Sequence, residues 1–277
     1  MTKLKTVIAL SILGSLALAC GPTITPTLRG GTTGTFSLTA PAIEPPKLTE
    51  ILSPNSNGRD GVAIDTIVLH HTAMPSTAAN IAKFFQDPKS KVSSHYVVDR
   101  TGEIIRCVPD DLRSWHAGRS SFQDRPNVNN FSIGIEICNV GDNIEPYPAA
   151  QVDAVIRLTA WLAKTHNVPV ANLTRHRDVA IPAGRKNDTS DNFDQKYVYK
   201  SVQDMLAGRR PAAYRVAKAP ASYDPTKLTY TVAPGDTWES IADDLYDAPT
   251  AAPALRQINP GITLRPGTVL KRLVSYR

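Results

Sequence analysis

Short runs of apolar residues separated by polar turns dominate the first two thirds of the chain. Four of these runs predict β-strands, at residues 64–69, 94–99, 103–108 and 132–139. The first run is apolar almost throughout, which is typical of a strand inside a sheet that is covered on both faces. A Thr-Gly turn signal separates the second and third runs, and it predicts that these two strands form a hairpin.

The clearest helical pattern covers residues 149–166. Pro148 precedes it, and its apolar positions recur at helical spacing: Val152, Val155, Ile156, Thr159, Leu162 and Ala163. Ser76 predicts the N-cap of an earlier helix that continues through Phe85, and residues 193–206 predict a closing helix. Because strands alternate with helices, we predict an α/β fold with a mixed central sheet flanked by helices.

A smaller unit is predicted at the C-terminal end of the chain. Residues 209–227 are rich in proline and alanine and predict a linker. The unit beyond the linker, residues 228–277, opens with a strand around Tyr230. Two helices and a closing strand follow, at residues 239–246, 250–259 and 264–270. This order predicts a small βααβ unit.

Length and charge limit the classes of function. The 277 residues suffice for one or two domains with hydrophobic cores, and the net charge is +6. A basic protein suits nucleic acid, but it also suits an anionic cell wall or membrane surface. The sequence has no basic run that alternates with aromatic residues and no signature of a nucleic-acid-binding fold, so we expect no nucleic-acid partner.

Residues 1–20 predict an export signal. Two lysines give it a positive start, and residues 6–19 form an uncharged apolar segment that is short for a membrane span. Small residues lead to Cys20, an arrangement that resembles a bacterial lipoprotein signal, in which the cysteine is acylated. An ordinary cleaved signal peptide is the alternative. Gly21 replaces the Asp that marks retention at the inner membrane, so we expect a lipid-anchored protein of the outer membrane that faces the periplasm.

The exported part of the chain would begin with a flexible tether. Residues 21–47 are rich in Thr, Pro and Gly and show no apolar period. Beyond the tether the chain contains two cysteines, Cys107 and Cys138. An oxidising compartment permits a disulfide between them. Two buried thiols are the alternative, and the sequence leaves both open.

Candidate metal ligands concentrate in the polar segment at residues 176–188, which predicts a loop. His176 and Asp188 offer an imidazole and a carboxylate, both of which are zinc ligands. A third ligand would come from His70 or His71, and strand geometry prevents both from pointing at one site. From these residues alone, a solvated histidine and a surface ion pair between Lys186 and Asp188 remain alternatives.

A resemblance to a known family sharpens this picture. Five segments occur in the order that is found in zinc-dependent N-acetylmuramoyl-L-alanine amidases, which are related to the peptidoglycan recognition proteins. These segments are Ile-Val-Leu-His-His-Thr at 67–72, Ser-Ser-His-Tyr-Val-Val-Asp at 93–99, Trp-His-Ala-Gly at 115–118, Ser-Ile-Gly-Ile-Glu at 132–136 and the loop at 176–188. The resemblance covers residues 60–208 and implies an amidase domain at residues 48–208.

The resemblance assigns a role to each candidate residue. It implies that His70, His176 and Asp188 bind Zn²⁺ and leave a coordination position for water. It implies that Glu136 is the general base and that Lys186 stabilises the charge developing on the carbonyl oxygen. The implied reaction is hydrolysis of the amide bond between the lactyl group of muramic acid and L-alanine in peptidoglycan.

Weaker matches place four more residues near the substrate cleft of the family. His95, Trp115, His116 and Asn139 are expected to contact the substrate or to support the zinc ligands. In this interpretation the cleft binds the stem peptide.

The C-terminal unit resembles a second family, the LysM module. Its Pro-Gly-Asp-Thr opening at 234–237, Ile-Asn-Pro at 258–260 and Pro-Gly at 266–267 carry the resemblance, which implies binding to N-acetylglucosamine-containing glycans. A peptidoglycan recognition protein without catalysis is the alternative function for the whole chain. The presence of Asp188 together with Glu136 and Lys186 favours the enzyme.

Overall fold

The computed structural model describes residues 42–246 and 248–274. The predicted export signal with Cys20, and residues 21–41 of the predicted tether, lie outside the described residues. We call residues 42–208 the α/β region and residues 228–274 the C-terminal segment. Both belong to one compact unit, Ala40–Arg277.

The α/β region begins with short strands and ends with helices. Its strands are β1 (Thr49–Glu50), β2 (Ser56–Gly58), β3 (Thr66–His71), β4 (Tyr96–Val98), β5 (Ile104–Arg106), β6 (Leu112–Ser114), β7 (Ser121–Phe122), β8 (Arg125–Pro126), β9 (Ser132–Ile137) and β10 (Leu173–Arg175). Its α-helices are α1 (Ala78–Gln86), α2 (Ala149–Thr165), α3 (His176–Val179) and α4 (Gln195–Leu206). Single turns of 3₁₀ helix occur at Val128–Asn130 and Val170–Asn172.

A six-stranded mixed sheet forms the centre of this region, in the order β1-β5-β4-β9-β3-β10. β9 pairs in parallel with both β3 and β4, whereas β4 and β5 form the predicted antiparallel hairpin. Two small antiparallel ribbons, β2 with β6 and β7 with β8, lie outside this sheet. The predicted α/β fold with a mixed central sheet flanked by helices is therefore confirmed.

Alternation along the strands divides the core between the two faces of the sheet. Ile67 and Leu69 of β3 join side chains of α2 and α4 in one buried cluster. Val97 of β4 and Ile105 of β5 point the other way and join α1 in a second cluster. The sheet is thus buried on both faces, as its near-continuous apolar strands predict.

Several boundaries differ from the sequence prediction. The segment at 176–188 begins as a one-turn helix, α3, because the backbone N–H of Ala180 donates to His176 and that of Arg177 donates to Asp188. The prediction of a loop there is wrong for its first four residues, 176–179. The N-cap of α1 is Thr77 rather than Ser76, since the Thr77 hydroxyl accepts from the N–H of Asn80. The sequence did not predict β10, because the extended conformation of this strand depends on its parallel pairing with β3.

The C-terminal segment contains β11 (Thr229–Thr231), α5 (Trp238–Tyr246), α6 (Ala252–Gln257) and β12 (Val269–Lys271). β11 and β12 pair antiparallel, with Tyr230 opposite Leu270. The helix predicted at 250–259 is shorter and follows a 3₁₀ turn at Pro249–Ala251. The side-chain amide of buried Asn259 joins α6 to β12, because it bonds to the carbonyl of Leu255 and to both backbone groups of Lys271.

Two further findings concern open expectations. Cys107 and Cys138 are buried free thiols, which decides between the two alternatives for this pair. Over residues 42–246 and 248–274, every helix is too short or too polar to traverse a bilayer.

Candidate metal centre and active site

His70 and Glu136 lie side by side on neighbouring strands. β3 and β9 run parallel, and their register places His70 opposite Glu136. The residues flanking Glu136 belong to the cluster under α2, so Glu136 and His70 point to the opposite face of the sheet. His71 points away from that face, and its Nδ1 accepts a hydrogen bond from the backbone N–H of Ser190 at 3.1 Å. The sheet geometry therefore selects His70 over His71.

Three predicted ligands converge on one buried point. The Oδ2 atom of Asp188 lies 3.1 Å from Nδ1 of His70 and 3.2 Å from Nδ1 of His176. Ligand atoms of the three residues lie within 4.8 Å of one another, and all three side chains are buried. Two imidazole nitrogens and one carboxylate oxygen match the ligand chemistry of a catalytic zinc site, so these residues fit the ion.

His116 sets the tautomer of His70. Ser132 donates its hydroxyl hydrogen to the carbonyl of Val128 at 2.7 Å, so its oxygen accepts from Nε2 of His116 at 3.0 Å. Nδ1 of His116 is then an acceptor, and it receives the Nε2 hydrogen of His70 at 2.9 Å. The Nδ1 lone pair of His70 is left facing Asp188, as a metal ligand requires.

The pKa of His116 supports this assignment. Burial is the largest cause of its lowering and His70 is the second, and together they hold the pKa well below its ordinary value, so the ring is neutral. A neutral imidazole has one donor and one acceptor nitrogen, which is what the chain of hydrogen bonds needs.

The second ligand is oriented by the backbone. Nε2 of His176 donates to the carbonyl of Ala117 at 3.2 Å, which leaves its Nδ1 facing Asp188. The Ala117 carbonyl is fixed in turn, because the side-chain oxygen of Asn129 accepts from the N–H groups of His116 and Ala117 at 3.1 and 2.8 Å. One short segment thus orients both histidine ligands.

Asp188 is charged in this site. Burial opposes its ionisation, but when the Nδ1 atoms of His176 and His70 carry protons, their charges and hydrogen bonds outweigh burial and hold the pKa of the carboxyl well below its usual range. An anionic oxygen between two imidazoles is the form that binds a cation.

One residue of the predicted catalytic pair, Glu136, lies beside this cluster. Oε1 of Glu136 is 4.0 Å from Nδ1 of His70, and Glu136 is only 6% exposed. Lys186 is 4% exposed, so a surface ion pair is not its environment. Its amine donates to the backbone carbonyl of Asp243 and lies 3.8 Å from the Asp243 carboxylate. A residue of the C-terminal segment therefore contacts the candidate catalytic lysine.

The remaining predicted residues lie at different depths. His116 belongs to the ligand network, whereas His95 lies behind it, with its ring 5.9 Å from that of His116. His95 contacts Arg59 at 2.8 Å and accepts from the N–H of Gly134 at 2.9 Å. Burial and then Arg59 lower the pKa of His95 to about 3, so the ring is neutral. These contacts favour the supporting role over substrate contact for His95.

Trp115 and Asn139 flank the site. Trp115 is half-buried, donates from its indole to Asn57 at 2.7 Å, and lines a cavity together with His116 and Glu136. Asn139 is buried and accepts from the N–H of Gly141 at 2.8 Å. The substrate roles of both residues stay predictions.

Sequence reasoning missed two glycines that make room for histidines. A Cβ atom on Gly134 would lie 2.5 Å from Cγ of His116, and one on Gly141 would lie 2.2 Å from Nε2 of His71. The signal was present for Gly134, since it is the central residue of the motif Ser-Ile-Gly-Ile-Glu.

Comparisons with known proteins agree with the geometry. The family model described as N-acetylmuramoyl-L-alanine amidase (Amidase_2) matches residues 60–191. The 1,6-anhydro-N-acetylmuramyl-L-alanine amidase AmpD of Enterobacter cloacae is 38% identical over 103 residues, which is 37% of this chain and 53% of that protein. AmpD of Haemophilus influenzae is 31% identical over 172 residues, covering 56% of this chain and 91% of that protein. A crystal structure of an AmpD derivative superposes with a TM-score of 0.50 at 28% identity and covers 58% of this chain and 96% of that chain.

The fold and the site together are a mixed α/β sheet and a buried His-His-Asp cluster that could hold a metal ion. The chain belongs to the N-acetylmuramoyl-L-alanine amidase family. The amidase family predicted from the motifs is thereby confirmed, although the chain spans only about half the length of several AmpD proteins that it matches, 53% for that of Enterobacter cloacae.

Proposed function

We propose that this chain is a zinc-dependent N-acetylmuramoyl-L-alanine amidase that hydrolyses the bond between the lactyl group of muramic acid and L-alanine in peptidoglycan. The observation that carries the proposal is the placement of Glu136 beside the buried cluster of His70, His176 and Asp188. A recognition protein needs no carboxylate at that position, whereas amide hydrolysis needs a proton acceptor next to the attacking water.

The residues divide the chemical work. His70, His176 and Asp188 would hold the ion, which when bound supplies a Lewis acid for the carbonyl and acidifies water. Glu136 would accept a proton from the attacking water and return it to the nitrogen of L-alanine as the C–N bond breaks. The positive charge of Lys186 would face the negative charge that develops on the carbonyl oxygen.

We further propose that the C-terminal segment is a LysM-like module that binds N-acetylglucosamine-containing glycan. Support comes from the order of β11, α5, α6 and β12 with paired terminal strands, and from the Pro-Gly-Asp-Thr opening. Residues 209–227 would be the linker. With residues 1–20 as a lipoprotein-type signal and Cys20 acylated, the enzyme would be anchored in the outer membrane and face the periplasm.

Product analysis tests the proposed activity. The chain lacking residues 1–20 would be incubated with intact wall, muropeptides and anhydro-muropeptides, and the products would be identified by mass spectrometry. We expect free stem peptides that disappear with a zinc chelator and return when zinc is restored. Exposed Glu103 provides the matched control, since Glu103→Gln should retain activity that Glu136→Gln loses. Intact glycopeptides in the presence of zinc, combined with retention of the protein on wall material, would favour the recognition protein instead.

A further inference from the structure

The C-terminal segment contributes to the cavity beside the candidate active site. His70, Asp188 and Glu136 are 0%, 3% and 6% exposed, although their proposed substrate is a peptide attached to a glycan strand. Tyr246, the last residue of α5, lines the same cavity as Trp115 and Glu136. The C-terminal segment therefore forms part of the wall of this cavity.

Polar contacts fix α5 over the loop that carries Lys186. Besides the bond from Lys186 to the backbone carbonyl of Asp243, the Asp243 carboxylate lies 3.6 Å from the guanidinium of Arg185 and 3.8 Å from the amine of Lys186. The bond to the Asp243 carbonyl takes up one of the three N–H donors of Lys186, and the Asp243 carboxylate lies beside the same amine. In the proposed reaction Asp243 therefore competes with the substrate carbonyl for Lys186.

Apolar side chains of the C-terminal segment and of α1 belong to one buried cluster. This cluster combines the α1 face of the α/β region with both helices and the closing strand of the C-terminal segment. Its members include Met74, Ile81 and Phe85 from the α/β region and Ile241, Tyr246 and Leu255 from the C-terminal segment. Burial of apolar side chains from both parts in one cluster stabilises the docked state.

Two more hydrogen-bonded points hold the edges. The hydroxyl of Thr250 donates to the carbonyl of Ser90 at 2.9 Å. The guanidinium of Arg272 donates to the carbonyls of Ala73 and Val140 at 2.5 and 3.0 Å. The segment is thus attached through α5, the 3₁₀ turn before α6 and the residue after β12.

We infer that the C-terminal segment is an autoinhibitory lid, which docks on the cleft and must move away before a glycan-linked stem peptide can reach Glu136. This inference rests on the proposed function. The segment is joined to the α/β region by residues 209–227, which contain three prolines and, up to residue 224, no helix or strand. Such a connection lets the lid leave without unfolding either part.

A charge reversal tests the lid. Asp243→Lys in the otherwise intact mature chain would place a cation against Arg185 and Lys186 and shift the population to the open state. We expect about a tenfold faster hydrolysis of muropeptides, since an inhibited enzyme gains activity in proportion to its open fraction. Hydrogen–deuterium exchange should rise in α1 and in the loop at 182–190. Glu239→Lys is the matched control, because Glu239 lies exposed on the same helix and carries the same charge change.

The two readouts separate the lid from the amidase activity. If Asp243→Lys changes neither the rate of hydrolysis nor the hydrogen–deuterium exchange, the lid is overturned, while the amidase activity remains established. Faster hydrolysis without faster exchange would also overturn the lid, since the gain would not come from opening. If exchange is faster in Asp243→Lys but neither this variant nor the unsubstituted protein hydrolyses muropeptides, the docking of the segment is supported and the proposed function is rejected.

A cross-link gives the opposite perturbation. Cysteines introduced at Ser90 and Thr250 would join the lid to the α/β region at a contact where the Thr250 hydroxyl lies 2.9 Å from the Ser90 carbonyl. The oxidised double variant should lose activity and regain it with a phosphine reductant, whereas Thr250→Cys alone should be insensitive. Full activity of the verified cross-linked protein would contradict the lid.

Discussion

Gly134→Ala is a small substitution whose effect should reach the metal site through His116. Gly134 lies in the middle of β9, where a Cβ atom would be 2.5 Å from Cγ, 2.7 Å from Nδ1 and 2.8 Å from Cδ2 of His116. The backbone of β9 is held by strands on both sides in the six-stranded sheet, so it moves less easily than the His116 side chain. The His116 imidazole must therefore move away from β9.

The size of the effect follows from what that ring holds. Nδ1 of His116 accepts the hydrogen bond from Nε2 of His70 at 2.9 Å, so a displaced ring no longer orients the ligand. Loss of such an orienting group typically weakens metal binding by about 10- to 100-fold, or about 1.4 to 2.8 kcal/mol. Overpacking should independently lower the free energy of unfolding by about 1 to 3 kcal/mol.

Two assays check this prediction. Competition with a chromophoric chelator measures the zinc affinity, and urea unfolding of the metal-free protein measures stability. Gly58→Ala is the control, because a Cβ there would meet only the Asp60 carboxylate at an ordinary 3.8 Å. A Gly134→Ala protein that binds zinc as tightly as the unsubstituted chain would show that His116 does not orient His70.

Two other predictions concern stability. Leu158→Ala removes a fully buried side chain of α2 and should cost about 2 to 5 kcal/mol in urea unfolding. Burial opposes the ionisation of Asp110, but hydrogen bonds from His166 and Tyr96 hold the pKa of its carboxyl below the ordinary 3.8. A carboxyl whose pKa is lower in the folded than in the unfolded protein stabilises the fold at pH values above its unfolded pKa. This stabilisation is lost as the pH falls through the folded pKa. Asp110→Asn should therefore cost about 1 to 3 kcal/mol at pH 7, and the deficit should shrink below about pH 4. The same deficit at both pH values, or an equal cost for exposed Asp111→Asn, would contradict this reasoning.

Local pattern and motif order account for much of the fold and site. Apolar runs and helical spacing located β3, β4, β5, β9 and α2 to within a few residues. The parallel register that sets His70 opposite Glu136 was not predicted, because the pairing of β3 with β9 is a long-range contact. His176 and Asp188 were found because the motif order of a known family selects them from among many loop residues.

Long-range contacts account for what was missed. β10 has only three residues, and its conformation depends on β3 rather than on its own sequence. His116 reaches His70 across 46 positions of the chain, so spacing alone could not choose between its two predicted roles, contact with the substrate and support of a zinc ligand. The contact of Lys186 with Asp243 likewise joins two parts of the chain that are 57 positions apart. Such pairings depend on the packed tertiary structure.

The most direct test of the catalytic site compares two variants in one preparation series, by zinc content and by release of stem peptide. Glu136→Gln should retain one zinc ion per chain and lose turnover by about 100- to 10,000-fold, since Glu136 moves protons without holding the ion. Asp188→Asn should lose both the ion and the turnover, because it removes the anionic ligand between His70 and His176. Turnover near that of the unsubstituted chain in Glu136→Gln, or a normal zinc content in Asp188→Asn, would contradict the proposed division of roles.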